Sequence, residues 1–136
     1  MKKIYSKIDK TKLLHLVGSL DDLKENRMDV APEEEFLQLA ILKLEKGKTF
    51  KPHKHIYYEK ITNIAQESWF VYKGRVKCIF YDLDDSIISE EIIEEGSFSM
   101  TFRGGHNYEI LEENTFVLEY KTGPYLGIEL DKTFIN

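Results

Sequence analysis

One cysteine, one tryptophan and three prolines are all that these residue types contribute to 136 residues. Each scarcity excludes something. The single thiol, Cys78, rules out an internal disulfide and fits a reducing compartment. In the apolar stretch 76–80 it reads as a small buried core residue rather than a reactive group. No apolar run approaches the length of a membrane span. The basic start, Met1 to Lys7, is followed by Asp9, Lys10 and Lys12, where a signal peptide would need an apolar stretch. The expectation is a cytoplasmic protein with no membrane partner. Positive charge is also in deficit: the net charge is −5, with acidic clusters at Glu33-Glu34-Glu35, Glu90-Glu91 and Glu94-Glu95. That balance argues against a nucleic-acid partner, and the clusters read as solvated turns and strand edges.

What is present suffices for one domain with a real core. Hydrophobic residues make up 42% and charged residues 32%, an ordinary globular balance. In residues 9–27, Leu13, Leu16, Val17, Leu20 and Leu23 recur at three and four residues with Asp9 as N-cap, which predicts a helix. Gly18-Ser19 is a point of division, since Ser19-x-x-Asp22 resembles a second helix start. His15 then falls on the helix surface. Residues 1–35 are therefore expected as an N-terminal helical extension, and residues 36–136 as a β-domain against which it packs.

From Phe36 onward, short runs rich in β-branched and aromatic residues recur at intervals of about ten, the rhythm of a sandwich or barrel. The expected strands are 37–44, 49–55, 68–72, 75–81, 87–93, 97–102, 108–112, 115–121 and 126–129. Lys73-Gly74 reads as a two-residue hairpin turn, because glycine accepts the positive φ such turns need.

Three of the four histidines carry the chemistry. Gly47 is followed after five residues by His53-Lys54-His55; Glu67 is followed after six by Gly74; Gly96 is followed after five by Phe102-Arg103-Gly104-Gly105-His106. Strand residues two apart point the same way, so His53 and His55 can aim both imidazoles at one point. With His106 and Glu67 they would supply three neutral nitrogens and one carboxylate, a set suited to one divalent transition metal, Fe, Mn, Ni, Co or Zn. A closed structural zinc site would usually include cysteine. Alternation also predicts the lining: Tyr57 beside the histidines, Trp69 and Val71 beside Glu67, Tyr108 and Ile110 beside His106.

The two glycine-spaced motifs resemble those of the cupins over about residues 37 to 121. The resemblance implies a double-stranded β-helix, or jelly-roll barrel, with the metal near its middle. The chain departs from the family pattern in three ways. The gap from His55 to Glu67 is far longer than usual, Phe102 replaces the usual proline, and one residue is missing before His106. Glu59 lies at the usual short spacing from His55, but only Glu67 precedes both a strand and a glycine turn, which makes Glu67 the preferred carboxylate. The whole chain, including Gly123-Pro124-Tyr125-Leu126-Gly127, is similar to small one-domain cupins associated with bacterial surface-polysaccharide synthesis.

These features lead to an expected enzyme of the isomerase or epimerase kind, or an oxygenase, acting on a small sugar-type or other polar metabolite. The metal would polarise the substrate while Tyr57, Glu59 or Tyr108 moved protons. The alternatives are a non-catalytic binding module and a metal-free sugar ketoisomerase using His53 or His55 with a tyrosine. A homodimer is expected because open sheet edges need cover. Residues 56–66 are expected to form a flap carrying Tyr57, Tyr58 and Glu59 over the site.

Overall fold

Alternation decides which face of a sheet each side chain joins. In Ser97–Thr101, Phe98 and Met100 point to one side and Ser99 and Thr101 to the other, and all four are buried. A strand so arranged must be covered on both faces. The computed structural model describes residues 1–136 and has ten strands, β1 Lys2–Tyr5, β2 Leu13–Ser19, β3 Arg27–Asp29, β4 Ala40–Leu42, β5 Glu67–Lys73, β6 Arg75–Tyr81, β7 Ile87–Glu94, β8 Ser97–Thr101, β9 His106–Ile110 and β10 Phe116–Lys121. A 3₁₀ turn, Leu20–Asp22, and one short helix, α1 Ile128–Asp131, complete it. The chain is thus all-β.

The strands form three antiparallel sheets: five strands in the order β1-β2-β8-β5-β10, three in the order β7-β6-β9, and the pair β3-β4. None closes on itself. The five-stranded sheet is the middle layer. On one side Leu13, Leu16, Phe98, Met100 and Phe102 pack with Val30, Ala31 and Ile41 from the β3-β4 region. On the other side Ile4 and Val71 pack with Val76, Cys78, Phe80 and Ile93 of the three-stranded sheet. Each large side chain so buried contributes about 1.5–3 kcal/mol.

The prediction of strands succeeds best from β5 to β10. The stretch 75–81 is β6, and β5, β7, β8, β9 and β10 begin or end within a few residues of expectation. Four expectations are overturned. Residues 9–27 are not helical: β2 lies centrally between β1 and β8, and only Leu20–Asp22 coils, with the Ser19 N–H donating to Asp22 at 2.9 Å as the Ser19-x-x-Asp22 pattern suggested. The first 35 residues therefore supply two strands of the largest sheet rather than a helical extension. Residues 49–55 form no strand, and α1 occupies the region read as strand 126–129.

Lys73-Gly74, finally, is not a hairpin. β5 belongs to the middle sheet and β6 to the three-stranded one, so the chain crosses between layers at Gly74. Gly74 has φ +92°, and a Cβ there would collide with the side chain of Thr115. Glycine is required by the crossing and by the close approach of the β9-β10 connection.

Candidate functional site

Glu67 opens β5 and His106 opens β9, on two sheets that face each other. Opposite His106 in the ladder is Phe80 of β6, and beside Glu67 are Thr101 of β8 and Lys121 of β10. The inward face of β5 carries Glu67, Trp69 and Val71; that of β9 carries His106 and Tyr108. As alternation predicts, Trp69, Val71 and Tyr108 all join the core between the sheets. Ile110 shares the face but lies at the exposed end.

The approach to His106 depends on the glycines before it. Gly104 has φ +78°, and a Cβ there would come within 2.6 Å of the Tyr81 carbonyl. Without that side chain, the backbone lies against the end of β6, and the Tyr81 N–H donates to the Gly105 carbonyl at 2.8 Å. The imidazole is thereby swung between the sheets. His106 Nε2 lies 3.2 Å from Glu67 Oε1, with the two side chains 24% and 12% exposed.

Aromatic rings form the floor. Trp69 and Tyr108 stack with centroids 3.8 Å apart and planes 13° from parallel, and the His106 ring is 5.3 Å from that of Tyr108. The Trp69 indole N–H is shared between Glu67 Oε1 at 2.9 Å and Glu119 Oε2 at 3.2 Å. Burial alone would raise the Glu67 pKa. Pairing with His106, the Trp69 donor and the nearby Lys132 charge outweigh burial and hold the carboxyl below its ordinary value. Glu67 is therefore an anion at neutral pH. His106 Nδ1 is buried and has no hydrogen-bond partner.

The Tyr108 hydroxyl lies 3.1 Å from Ser99 Oγ, and burial pushes its pKa upward. It is directed into the core rather than toward the Glu67–His106 pair. Cys78 is likewise buried, which lifts its thiol to about 12 and makes it unreactive.

His53 and His55 are not brought to this pair. They stand on an exposed segment with their rings 5.7 Å apart, and His53 Nδ1 is 3.0 Å from the Lys51 carbonyl. Tyr57, Tyr58 and Glu59 are also exposed. Within the chain no three His, Cys, Asp or Glu side chains converge as a metal-binding group. Gln66, expected as the last flap residue, is instead buried, with its side chain bonded to Glu35 at 2.7 Å and to the Leu37 N–H at 2.7 Å.

Several important residues escape sequence reasoning. His15 is buried in β2 and stacked 4.5 Å from Phe80, with Nδ1 3.1 Å from Thr101 Oγ1 and Nε2 3.0 Å from the Tyr81 carbonyl. The carbonyl requires a proton on Nε2, so Nδ1 accepts from the Thr101 hydroxyl. Burial lowers its pKa to about 4. Glu35, expected in a solvated turn, is buried and clasped by Arg103 through contacts of 2.8 and 3.0 Å. The tail after β10 also borders the site: Lys121 pairs with Asp131 at 3.1 Å and lies over the Tyr125 ring.

Two hollows, of about 490 and 320 Å³, lie at the 110–115 connection and over Phe70, Phe98 and Leu118 on the far face of the middle sheet. Neither includes Glu67 or His106. No helix is long and apolar enough to cross a membrane. Compared with family models, with curated proteins and with solved structures, the chain matches none.

Proposed function

We propose that this chain is a cupin-like, metal-dependent enzyme acting on a small polar metabolite, with a sugar or nucleotide-sugar derivative as the favoured substrate class. One observation carries the reading. Glu67 and His106, singled out by separate glycine-spaced motifs, meet at 3.2 Å between two sheets. They are half of the expected ligand set, His53 and His55 being the other half. A carboxylate and imidazoles suit a borderline divalent ion. When bound, that ion would polarise a carbonyl or hydroxyl of the substrate.

The chain's own groups divide the remaining work. The Trp69 indole N–H and His106 Nε2 both meet Oε1 of the Glu67 carboxylate and hold it in place. Proton transfer falls to Tyr57 and Glu59, because the Tyr108 hydroxyl is engaged by Ser99. The protein would act as a homodimer.

Elemental analysis of protein purified without a histidine tag tests the reading, with about one transition-metal ion per chain expected, together with turnover on a panel of sugars. Protein that neither contains nor takes up such an ion overturns it. The direct Glu67–His106 contact favours a second reading, an acid–base pair working without metal. Turnover by metal-free protein would select it.

A further inference from the structure

Twenty consecutive residues, 42–61, are all exposed. No backbone-to-backbone hydrogen bond is made between residues 49 and 65. Yet the segment is not a polar loop: Phe50, Ile56, Tyr57, Tyr58 and Ile61 are among its side chains, with Ile56 85% and Ile61 82% exposed. Such exposed apolar side chains call for cover, and a backbone bonded only to water is free to pair with an open strand edge. Both feet are fixed. The Lys43 N–H bonds the Asn26 carbonyl at 2.9 Å, and the Gln66 carbonyl accepts from the Thr122 N–H at 3.0 Å.

Charge points to the covering surface. Lys43, Lys46, Lys48, Lys51, Lys54 and Lys60 against Glu45 and Glu59 leave this segment at +4, so the remainder of a chain of net −5 carries −9. The basic segment and the acidic body are complementary. β9 is bonded only to β6 and β10 only to β5, so each presents an open edge. Glu109, Glu112, Glu113 and Glu119 lie on these strands and the connection between them. The half-built pair of His106 and Glu67 lies between the same edges.

We propose that residues 42–61 are an exchanged arm, which lies along the open β9 edge of a second copy and carries His53 and His55 to that copy's Glu67 and His106. A second copy is favoured over the arm's own body by the N-terminal foot, although the C-terminal foot, Gln66, adjoins Glu67 of the same chain. Ile41 and Leu42 pack on the Phe70 and Phe98 face of the middle sheet, opposite the face that carries Glu67 and Trp69. Edge pairing of this kind supplies the missing backbone partners, and two-fold symmetry makes the exchange reciprocal. Alternation turns His53 and His55 inward together and leaves Lys54 outward.

The metal part of this inference rests on the proposed function; the exchange itself does not. One chain carrying His53→Ala and His55→Ala is co-expressed with another carrying His106→Ala, each with a different histidine-free tag, and the mixed pair is loaded with zinc. Each variant alone should bind little zinc, whereas the mixed pair should regain about one ion per pair, because one intact arm meets one intact core. A mixed pair as empty as the single variants, beside a wild type that binds zinc, overturns the exchange. If wild type binds no zinc the metal reading fails, and a second measurement still tests the exchange. Lys54→Cys in one chain and Asn107→Cys in the other should give a disulfide-linked pair of chains, with buried Cys78 not competing. A disulfide confined within single chains carrying both substitutions, or none at all, overturns it.

Discussion

Glu67 Oε1 and His106 Nε2 meet at 3.2 Å although they begin different strands of different sheets. Glu67 is anionic at neutral pH, and Trp69 holds its orientation. Replacing it by glutamine keeps the shape but removes the charge that a metal ion needs. Glu67→Gln should weaken zinc or cobalt binding beyond the ~10–100-fold typical of groups that only orient a ligand, whereas Glu59→Gln should have a much smaller effect. Titration of both variants checks this; equal or reversed losses would give the carboxylate role to Glu59.

The buried His15 ring predicts an acid-sensitive stability. Its folded pKa, lowered to about 4 from 6.5 by burial, means that the unfolded chain binds the proton more readily. The contribution is fully present above pH 6.5 and lost as pH falls toward 4, up to about 3 kcal/mol at 1.36 kcal/mol per pKa unit. The neighbouring charges are His106, which lowers the pKa further, and Asp82, which raises it. Urea unfolding of wild type and His15→Gln at several pH values should show the wild type losing more stability between neutrality and pH 4. Parallel curves for the two proteins would refute the assignment.

Gly74→Ala should destabilise the fold by about 1–3 kcal/mol, because it combines a left-handed φ with a Cβ placed against Thr115. Denaturant midpoints with unchanged slopes would measure the loss. A hairpin glycine with free space would give a smaller effect, so a loss below about half a kcal/mol would contradict the crossing geometry.

The Glu35–Arg103 clasp ties the 33–38 region to the residue before Gly104. Its side chains are 7% and 29% exposed, so the pair lies between the surface and fully buried cases. Replacing either by alanine should cost about 1–3 kcal/mol, since one nearly buried group is left unpaired. A double-mutant cycle should show a coupling of at least about 1 kcal/mol, and additive losses would show that the two groups act independently.

Local pattern was enough to locate much of the β-structure. The stretches from Glu67 to Lys121 alternate, end at glycine or acidic turns, and emerge as β5 to β10. The same alternation put Trp69 and Tyr108 inside the sandwich beside Glu67 and His106. β2 was misread because Leu13, Leu16 and Val17 satisfy a helical spacing as well as a strand buried on both faces, and so short an apolar run cannot distinguish them. Residues 49–55 have a strand-like pattern without a strand partner in the chain, and a strand exists only through the edge that pairs with it.

By itself the sequence determined the strands between Glu67 and Lys121 and chose the residues of the Glu67–His106 pair, because side-chain alternation and glycine placement are local properties. Only the tertiary structure decided that Gly74 crosses between sheets, that His15 is a neutral core residue, and that Glu35 is clasped by Arg103. Each of these rests on a partner far along the chain: Thr115 for Gly74, Thr101 and Tyr81 for His15, and Arg103 for Glu35. A buried polar group is stable only when its partner is in place, and that partner is fixed by the packing of whole sheets rather than by neighbouring residues.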